Sequence, residues 1–496
     1  MPVSAPRNRR LVGGALLALA LAATAACGGS ALSPREVLAA NQAVLGETGG
    51  SNTGTTGTTT GTTGTTTGTT GTTTGTTGSN LGTNTGTTGT TTGTTGTTTG
   101  TTGTTTGQGG TPQANTPAGS CAGFHNQLGI TNTTITIGNS ADVSGPVPGL
   151  FTAAQQAARA YVTYFNATHP TGICGRKLVL NTYDSRTDAG ADQQATEAMC
   201  ASSFAGVGSL GVFDSGGAQT AQNCGLPDIR ATATTAARNE CSTCFSAQGT
   251  GPHEYSNGIA DFFVQNYHAA SQKAAFLYLN AGASAENAMT QIAVDTKRGM
   301  KFLYTSPIDV AAFNYGPYVQ AMQSKGVQWV QLVGGYQQDV RLAQAMQSAG
   351  FKPQVVHFDQ TADDPGFLAS GGSAVEGVFV SLTYNPLFQS APELNLYKQW
   401  LQQSNPGASP NAYGMYGWSA AKLFVTEALA LGGKLTRASL VHALLGVHAW
   451  TGGGLHAPMD VGGKHTTTCV RFQRVQNGRF VVTGPNRFIC DGYSTA

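Results

Sequence analysis

Charge is scarce in this chain. Of its 496 residues only 10% are charged, 26 basic against 24 acidic, for a formal net charge of +2. So even a balance offers no electrostatic footprint for nucleic acid. Catalytic signatures are absent too: there is no GxSxG elbow, no HExxH and no phosphate-binding GxxxxGK[ST] loop. The nine histidines, among them His253 beside Glu254, His442 and His448, are scattered without metal-ligand spacing. They read as ordinary surface or core histidines, and no metal or cofactor is expected. No apolar run reaches the roughly 18 residues a membrane-spanning helix needs. The longest, Leu11 to Ala23, has 13 residues and as a helix spans about 20 Å.

That short run has the size of a signal-peptide core, and Arg7, Arg9 and Arg10 precede it. Thr24-Ala25-Ala26 then leads into Cys27-Gly28-Gly29. Small residues running up to a cysteine resemble the bacterial lipobox, which implies cleavage after residue 26 and acylation of Cys27. The expected location is therefore the outer face of the cytoplasmic membrane, held there by lipid. Without the three signal arginines, 23 basic residues face 24 acidic ones, a formal charge of −1.

Cysteine usage agrees with export. Beyond Cys27 there are eight, an even number that reads in an exported chain as four disulfides. Cys469 and Cys490 flank a hairpin pattern turning at Gln476-Asn477-Gly478, so they are expected to pair. Cys200 closes a helical pattern and Cys224 is placed just past the next strand, a second expected pair. The pairing of Cys121, Cys174, Cys241 and Cys244 is left open. Cys241-Ser-Thr-Cys244 has redox CxxC spacing, but it does not open a helix after a strand and no second CxxC exists for zinc. A structural role is the expectation.

From Thr53 to Gly107 the chain is almost pure threonine and glycine. With no charge and hardly an apolar side chain, nothing offsets the entropy of ordering it, and residues 27–120 read as a disordered tether. The 93 residues between Cys27 and Cys121 would span about 50 Å as a flexible coil and about 300 Å pulled out.

From Cys121 onward strand and helix patterns alternate. Strands are expected at 135–138, 177–183, 210–213, 274–279, 301–304, 327–333, 353–358 and 375–382. Helices are expected at 151–167, 189–203, 254–268, 284–298, 314–324 and 337–349. Such alternation means parallel α/β sheets, and 376 residues exceed what one core holds. After Leu382 three helices follow at 392–403, 415–431 and 437–446, then the hairpin at 466–483. The expected boundaries are a first lobe over 121–255, the main part of a second over 256–382, and return segments completing both over 383–496.

Four features in register carry a family resemblance. They are Ile135-Thr136-Ile137-Gly138, Ser144-Gly145-Pro146, a helix ending Tyr164-Phe165-Asn166-Ala167, and Thr171-Gly172-Ile173-Cys174-Gly175-Arg176 before Tyr183-Asp184. Together they resemble the opening of type I periplasmic binding proteins, specifically the branched-chain amino-acid-binding proteins of ABC importers. Leu226-Pro227-x-Ile229 and Tyr416-Gly417-Trp418 match more loosely. The resemblance spans about 130–490. It implies two Rossmann-like lobes, a hinge of about three crossing segments, a ligand held between the lobes, and an ABC permease as partner.

Loops behind strand ends supply the candidate ligand residues. In the first lobe they are Ser144, Ser215, Gly216, Ala233 and Thr234. The last four match family positions where backbone N–H groups and a hydroxyl hold a carboxylate; the alternative is that they merely cap helices. The second lobe offers Asn280, Tyr336, Asp359 and Tyr384. Asn280 to Ala285 lacks the aromatic and the acid expected of an amino-acid binder, so Asp359 is left to supply charge, and an amide or carboxylate fits as well as an amino acid. Capture of a small polar solute for a permease is the leading expectation. A ligand-sensing or sequestering receptor of the same fold is the second. A hydrolase is the third: Asp184 and Asp188 could form a carboxylate pair, but the resemblance puts Asp184 beside the outer edge of the cleft.

Overall fold

The computed structural model describes residues 118–496. The signal, Cys27 and the threonine-glycine repeats lie outside the described residues. The first lobe is built on β1 (Thr134–Ala141), β2 (Lys177–Asp184), β3 (Ala205–Val207), β4 (Asp228–Thr232) and β5 (Cys244–Gln248). All are parallel, in the order β2-β1-β3-β4-β5. Their crossovers are α1 (Thr152–Thr168), α2 (Ala189–Ser202), α3 (Ala218–Cys224) and α4 (Ala236–Glu240). Local chemistry starts them: the Asp188 carboxylate accepts the Ala191 N–H at 2.8 Å, and the Thr235 hydroxyl accepts the Arg238 N–H.

A short β6 (Glu254–Ser256) and two helices, α5 (Asn257–Asn266) and α6 (His268–Ser271), lead into the second lobe. There β7 (Ala274–Leu279), β8 (Phe302–Ile308), β9 (Trp329–Val333), β10 (Val355–Phe358) and β11 (Phe379–Leu382) form the parallel part. They alternate with α7 (Gly282–Lys297), α8 (Gly316–Ser324), α9 (Tyr336–Ser348) and α10 (Pro365–Gly371). The order β8-β7-β9-β10-β11 repeats the winding of the first lobe. The late hairpin β12 (Arg471–Gln476) and β13 (Arg479–Thr483) adds two antiparallel strands at the edge.

Between β11 and β12 the chain returns to the first lobe with α11 (Pro392–Ser404), α12 (Ala412–Leu431) and α13 (Arg437–Leu445). Helix α12 is apolar nearly all round and packs between α1 and strands β3 to β5. Gly417 allows that closeness: a Cβ there would sit 2.7 Å from the Ala154 carbonyl oxygen. Three segments therefore cross between the lobes, at about 249–256, 383–391 and 446–470. The first and third touch, since a Cβ on Gly251 would meet the Thr466 amide at 2.9 Å. The C-terminal β14 (Tyr493–Thr495) pairs with β6 beside them.

Two expectations about the first lobe need correcting. The strand expected at 210–213 lies at Ala205–Val207 instead. Gly208 takes φ +71° and ends it, and Leu210 onward turns over the end of β1. Cys224 ends helix α3 rather than following a strand. The structure nevertheless joins Cys200 to Cys224 and Cys469 to Cys490, and it adds Cys121–Cys174 and Cys241–Cys244.

Candidate ligand-binding cleft

Both sheets reverse their strand order, between β1 and β3 in one lobe and between β7 and β9 in the other. Ligands of open α/β sheets sit outside the carboxyl ends of strands at such switch points. A cavity of about 230 Å³ lies there, lined from both lobes and from the crossing segments. Ligand pockets commonly run from about 300 to 1,000 Å³, so the space suits a small solute.

Apolar lining comes from Phe151, Leu210 and Val212 in the first lobe and Val333 and Leu382 in the second. Much of the remainder is polar and uncharged, including threonines 232, 234 and 250, glutamines 248, 291 and 360, Ser284, Asn287 and the rings of Tyr255 and Tyr413. Two acids reach the cavity, Glu254 and Asp359, and no arginine or lysine lines it among the described residues. Both Glu254 oxygens are occupied, one by His465 Nδ1 at 2.8 Å and the other by the Thr466 N–H at 2.8 Å. One Asp359 oxygen has no hydrogen-bond partner among the described residues. The other accepts the Thr361 N–H at 2.8 Å. Burial pushes the Asp359 carboxyl above its ordinary range, and Asp339 close behind is pushed well up by burial and then by Asp359 itself. This corner is therefore short of positive charge.

Two of the nine candidate residues, Thr234 and Asp359, stand in the cavity wall. Thr234 arrives with its donors spent: its N–H goes to Asp214 Oδ2 at 2.9 Å and its hydroxyl to the Gly211 carbonyl. Ala233 is buried next to it, its carbonyl accepting the Thr250 hydroxyl at 2.6 Å. The other six lie away from the wall. Ser144 is exposed at the lobe edge and donates its hydroxyl to Asp184 at 2.6 Å. Ser215 and Gly216 belong to a loop stitched into the first lobe, where Gly216 backs onto the Ala189 carbonyl and the Gly217 N–H meets Asp192 at 2.9 Å. Asn280 is exposed, its N–H bonded to the Ile308 carbonyl. The Tyr336 ring lies against Gly366. Tyr384 is fully buried and donates to Asp363 at 2.9 Å.

Behind the first-lobe loops lies a buried ion network. Arg238 bonds Asp192 at 2.7 Å and Asp228 at 3.1 Å, while Arg230 meets Asp228 at 3.1 Å and Asp214 at 3.4 Å. Asp214 in turn accepts from the Thr234 and Thr235 backbones and the Thr235 hydroxyl, so the network holds the loop that carries Thr234. The sequence pattern missed the three glutamines. Gln248 ends β5, a five-residue strand buried throughout and so without alternation. Gln291 sits in the middle of a helix, where no motif marks it.

Among the described residues one serine hydroxyl meets a histidine ring: Ser419 Oγ to His456 Nε2 at 2.7 Å, sealed in the core beneath Trp450, which donates to the same hydroxyl. Both side chains are buried, and the contact orders the packing. No group of three His, Cys, Asp or Glu residues among the described residues is placed to hold a metal.

This fold, with its paired switch points facing one cleft, defines a two-lobed solute-binding protein. The chain belongs to the type I periplasmic binding protein family: the family model described as "Periplasmic binding protein" matches residues 134–479. Members are substrate-binding transport proteins rather than enzymes. A fatty acid ABC transporter substrate-binding protein from Thermomonospora curvata superposes with TM-score 0.64 at 20% identity, covering 75% of this chain and 96% of that one. A branched-chain amino acid ABC transporter protein from Thermus thermophilus with bound valine gives 0.63 at 13% identity, covering 73% and 97%. A solute-binding protein from R. palustris in complex with 4-hydroxybenzoate gives 0.60 at 17% identity, covering 72% and 98%. No curated protein matches the chain in sequence.

Proposed function

We propose that this protein captures a small, net-neutral polar solute, an amino acid or a short amide, between its lobes and hands it to an ABC permease. The observation that carries the reading is the small cavity at the switch points of both sheets, walled by both lobes and the hinge. Asp359 offers a carboxylate oxygen for an ammonium or amide N–H, and the apolar lining suits a short aliphatic portion. With two acids and no cation in that wall, a carboxylate lacking its own ammonium would meet unscreened repulsion. Bound solute would tie the lobes together, and the closed form is the one a permease would recognise. Export through the signal at residues 1–26 and acylation of Cys27 would hold the protein at the outer face of the cytoplasmic membrane, on the tether of residues 27–120.

The test is a thermal-shift screen on the mature chain, residues 27–496 with Cys27→Ser, refolded to strip carried ligand. The panel holds amino acids, amides, carboxylates and amines. A ligand at about 100 times its dissociation constant adds about 2.7 kcal/mol of stability. Hits among amino acids or amides support the reading. A folded protein that answers only to carboxylates overturns the ligand class, and one that binds a solute but fails to stimulate uptake by neighbouring permease subunits in proteoliposomes is a receptor instead.

A further inference from the structure

Three glutamines in the cavity wall have their carbonyl ends already taken. Thr232 Oγ1 donates to Gln248 Oε1 at 2.8 Å, Gln331 Nε2 to Gln291 Oε1 at 2.8 Å, and Thr383 Oγ1 to Gln360 Oε1 at 3.0 Å. Gln248 comes from the first lobe, at the end of β5. Gln291 on α7 and Gln360 behind β10 come from the second. None of the three Nε2 atoms has a hydrogen-bond partner among the described residues.

A side-chain amide can normally turn to offer either end. Behind two of the three, neighbouring groups favour the direction drawn. The Tyr416 hydroxyl lies against Thr383 Oγ1, so tyrosine can supply the threonine oxygen with a proton and leave the threonine proton for Gln360. Behind Gln291 the chain runs deeper, because Gln331 is fully buried and its Oε1 meets His357 Nδ1 at 3.0 Å. His357 is fully buried as well, and burial pushes its pKa down to about 3, so the ring is neutral and carries one proton. On Nε2 that proton would be an unpaired N–H among Phe263, Trp329 and Phe472, for Nε2 has no partner. On Nδ1 it makes a hydrogen bond, and a buried N–H without an acceptor is the costlier choice. His357 therefore donates to Gln331, Gln331 to Gln291, and Gln291 is left with its NH₂ for the cavity.

We propose that Gln248, Gln291 and Gln360 form a three-amide donor clamp spanning both lobes, which holds the acceptor oxygens of the solute. The clamp rests on the solute-binding reading above and gives it a specificity rule. Donors that are neutral suit the carboxylate of a zwitterion or a carboxamide oxygen, whose charge the site need not balance. They take over from the loop carrying Thr234, whose N–H and hydroxyl are bound within the lobe. Because the donors sit on opposite lobes, the full set reaches one ligand only when the cleft is closed. Gln331 and His357 are positioning residues that act through Gln291.

The experiment uses the mature chain and four probes with one branched skeleton: L-leucine, isovaleramide, isovalerate and isoamylammonium, titrated by calorimetry. The clamp predicts that leucine or isovaleramide binds at least about tenfold more tightly than isovalerate. Gln248→Glu, Gln291→Glu and Gln360→Glu, close in shape and checked for folding by their melting curves, each weaken that hit about tenfold by losing a donor. Gln291→Glu also strengthens isoamylammonium. Nitrogen-15 spectra of the ligand-free protein should show His357 protonated on Nδ1, with the signal displaced in Gln331→Met. A hit unmoved by all three glutamates overturns the clamp and leaves solute binding standing. Silence from all four probes overturns both, and a proton on His357 Nε2 overturns the relay.

Discussion

Replacing Arg238 by methionine tests how the first lobe holds its cleft loop. Arg238 is fully buried and its side chain makes three bonds to oxygen: Nη2 to Asp192 at 2.7 Å, Nη1 to Asp228 at 3.1 Å and Nε to the Asp214 carbonyl at 2.8 Å. Methionine fills much of the stem but leaves three buried acids facing Arg230 alone. Breaking a buried ion pair from one side costs about 3–5 kcal/mol, since the partner charge stays behind in low dielectric. The expected loss, read by urea unfolding near pH 7.5, is of that size. It should also depend on pH. Burial already raises the Asp192 pKa, with Arg238 and then Arg230 opposing. Without Arg238 the folded pKa climbs further above the unfolded value of about 3.9. The folded state then binds more protons than the unfolded one, so stability is regained as pH falls through the folded pKa. The deficit should therefore be larger at pH 8 than at pH 5. Because the network carries Asp214 and through it the Thr234 loop, affinity for any hit in the ligand screen should fall as well. A loss below about 1 kcal/mol, or one that grows as pH falls, would refute the argument.

Two further tests concern the frame. The Asp363 pKa is raised to about 6, first by burial and against hydrogen bonds from Gln473 and Tyr384. Ionising it in the folded state therefore costs stability as pH rises through that range, about 3 kcal/mol in full. Between pH 4 and pH 7 the stability difference between Asp363→Asn and its parent should shift toward the variant by up to that amount; a flat difference in urea melts refutes it. The disulfides should rank by the chain they close. Cys121–Cys174 closes a separation of 53 residues and Cys241–Cys244 one of 3, so chain entropy assigns them about 4 and about 1.5 kcal/mol. Equal losses in the two double-serine variants, by urea unfolding under oxidising conditions, would show that loop closure is not what these bonds supply.

Much of the α/β skeleton was legible because its strands and helices are long enough to show their own periods. Strand β7 has the bounds expected of it, and α9 and α11 lie within a residue of theirs. Strands β4 and β5 were not legible because they bury Asp228, Arg230, Ser246 and Gln248 and so lack the largely apolar run that marked β9, which is equally short and equally buried. The first turn expected of a helix at 254–268 became β6, because Glu254–Ser256 pairs with Tyr493–Thr495, some 240 residues away along the chain.

The candidate site divides the same way. Placing ligand residues after strand ends is a local rule, and two of the residues it named, Thr234 and Asp359, line the cavity. Tyr384 obeys the same rule, yet its hydroxyl was claimed by Asp363 from a neighbouring loop. Nothing local marks Gln291, whose position in the wall depends on how α7 lies over the second sheet. By itself the sequence determined the class of fold, two of the disulfide pairs and the family, since each rests on periodicity, short spacing or local motif. The tertiary structure decided which donors are spent and which are free. Every such assignment depends on a partner distant in the chain, such as Asp214 for Thr234 or His357 and Gln331 for Gln291, and a hydrogen bond can be counted only when both its ends are in place.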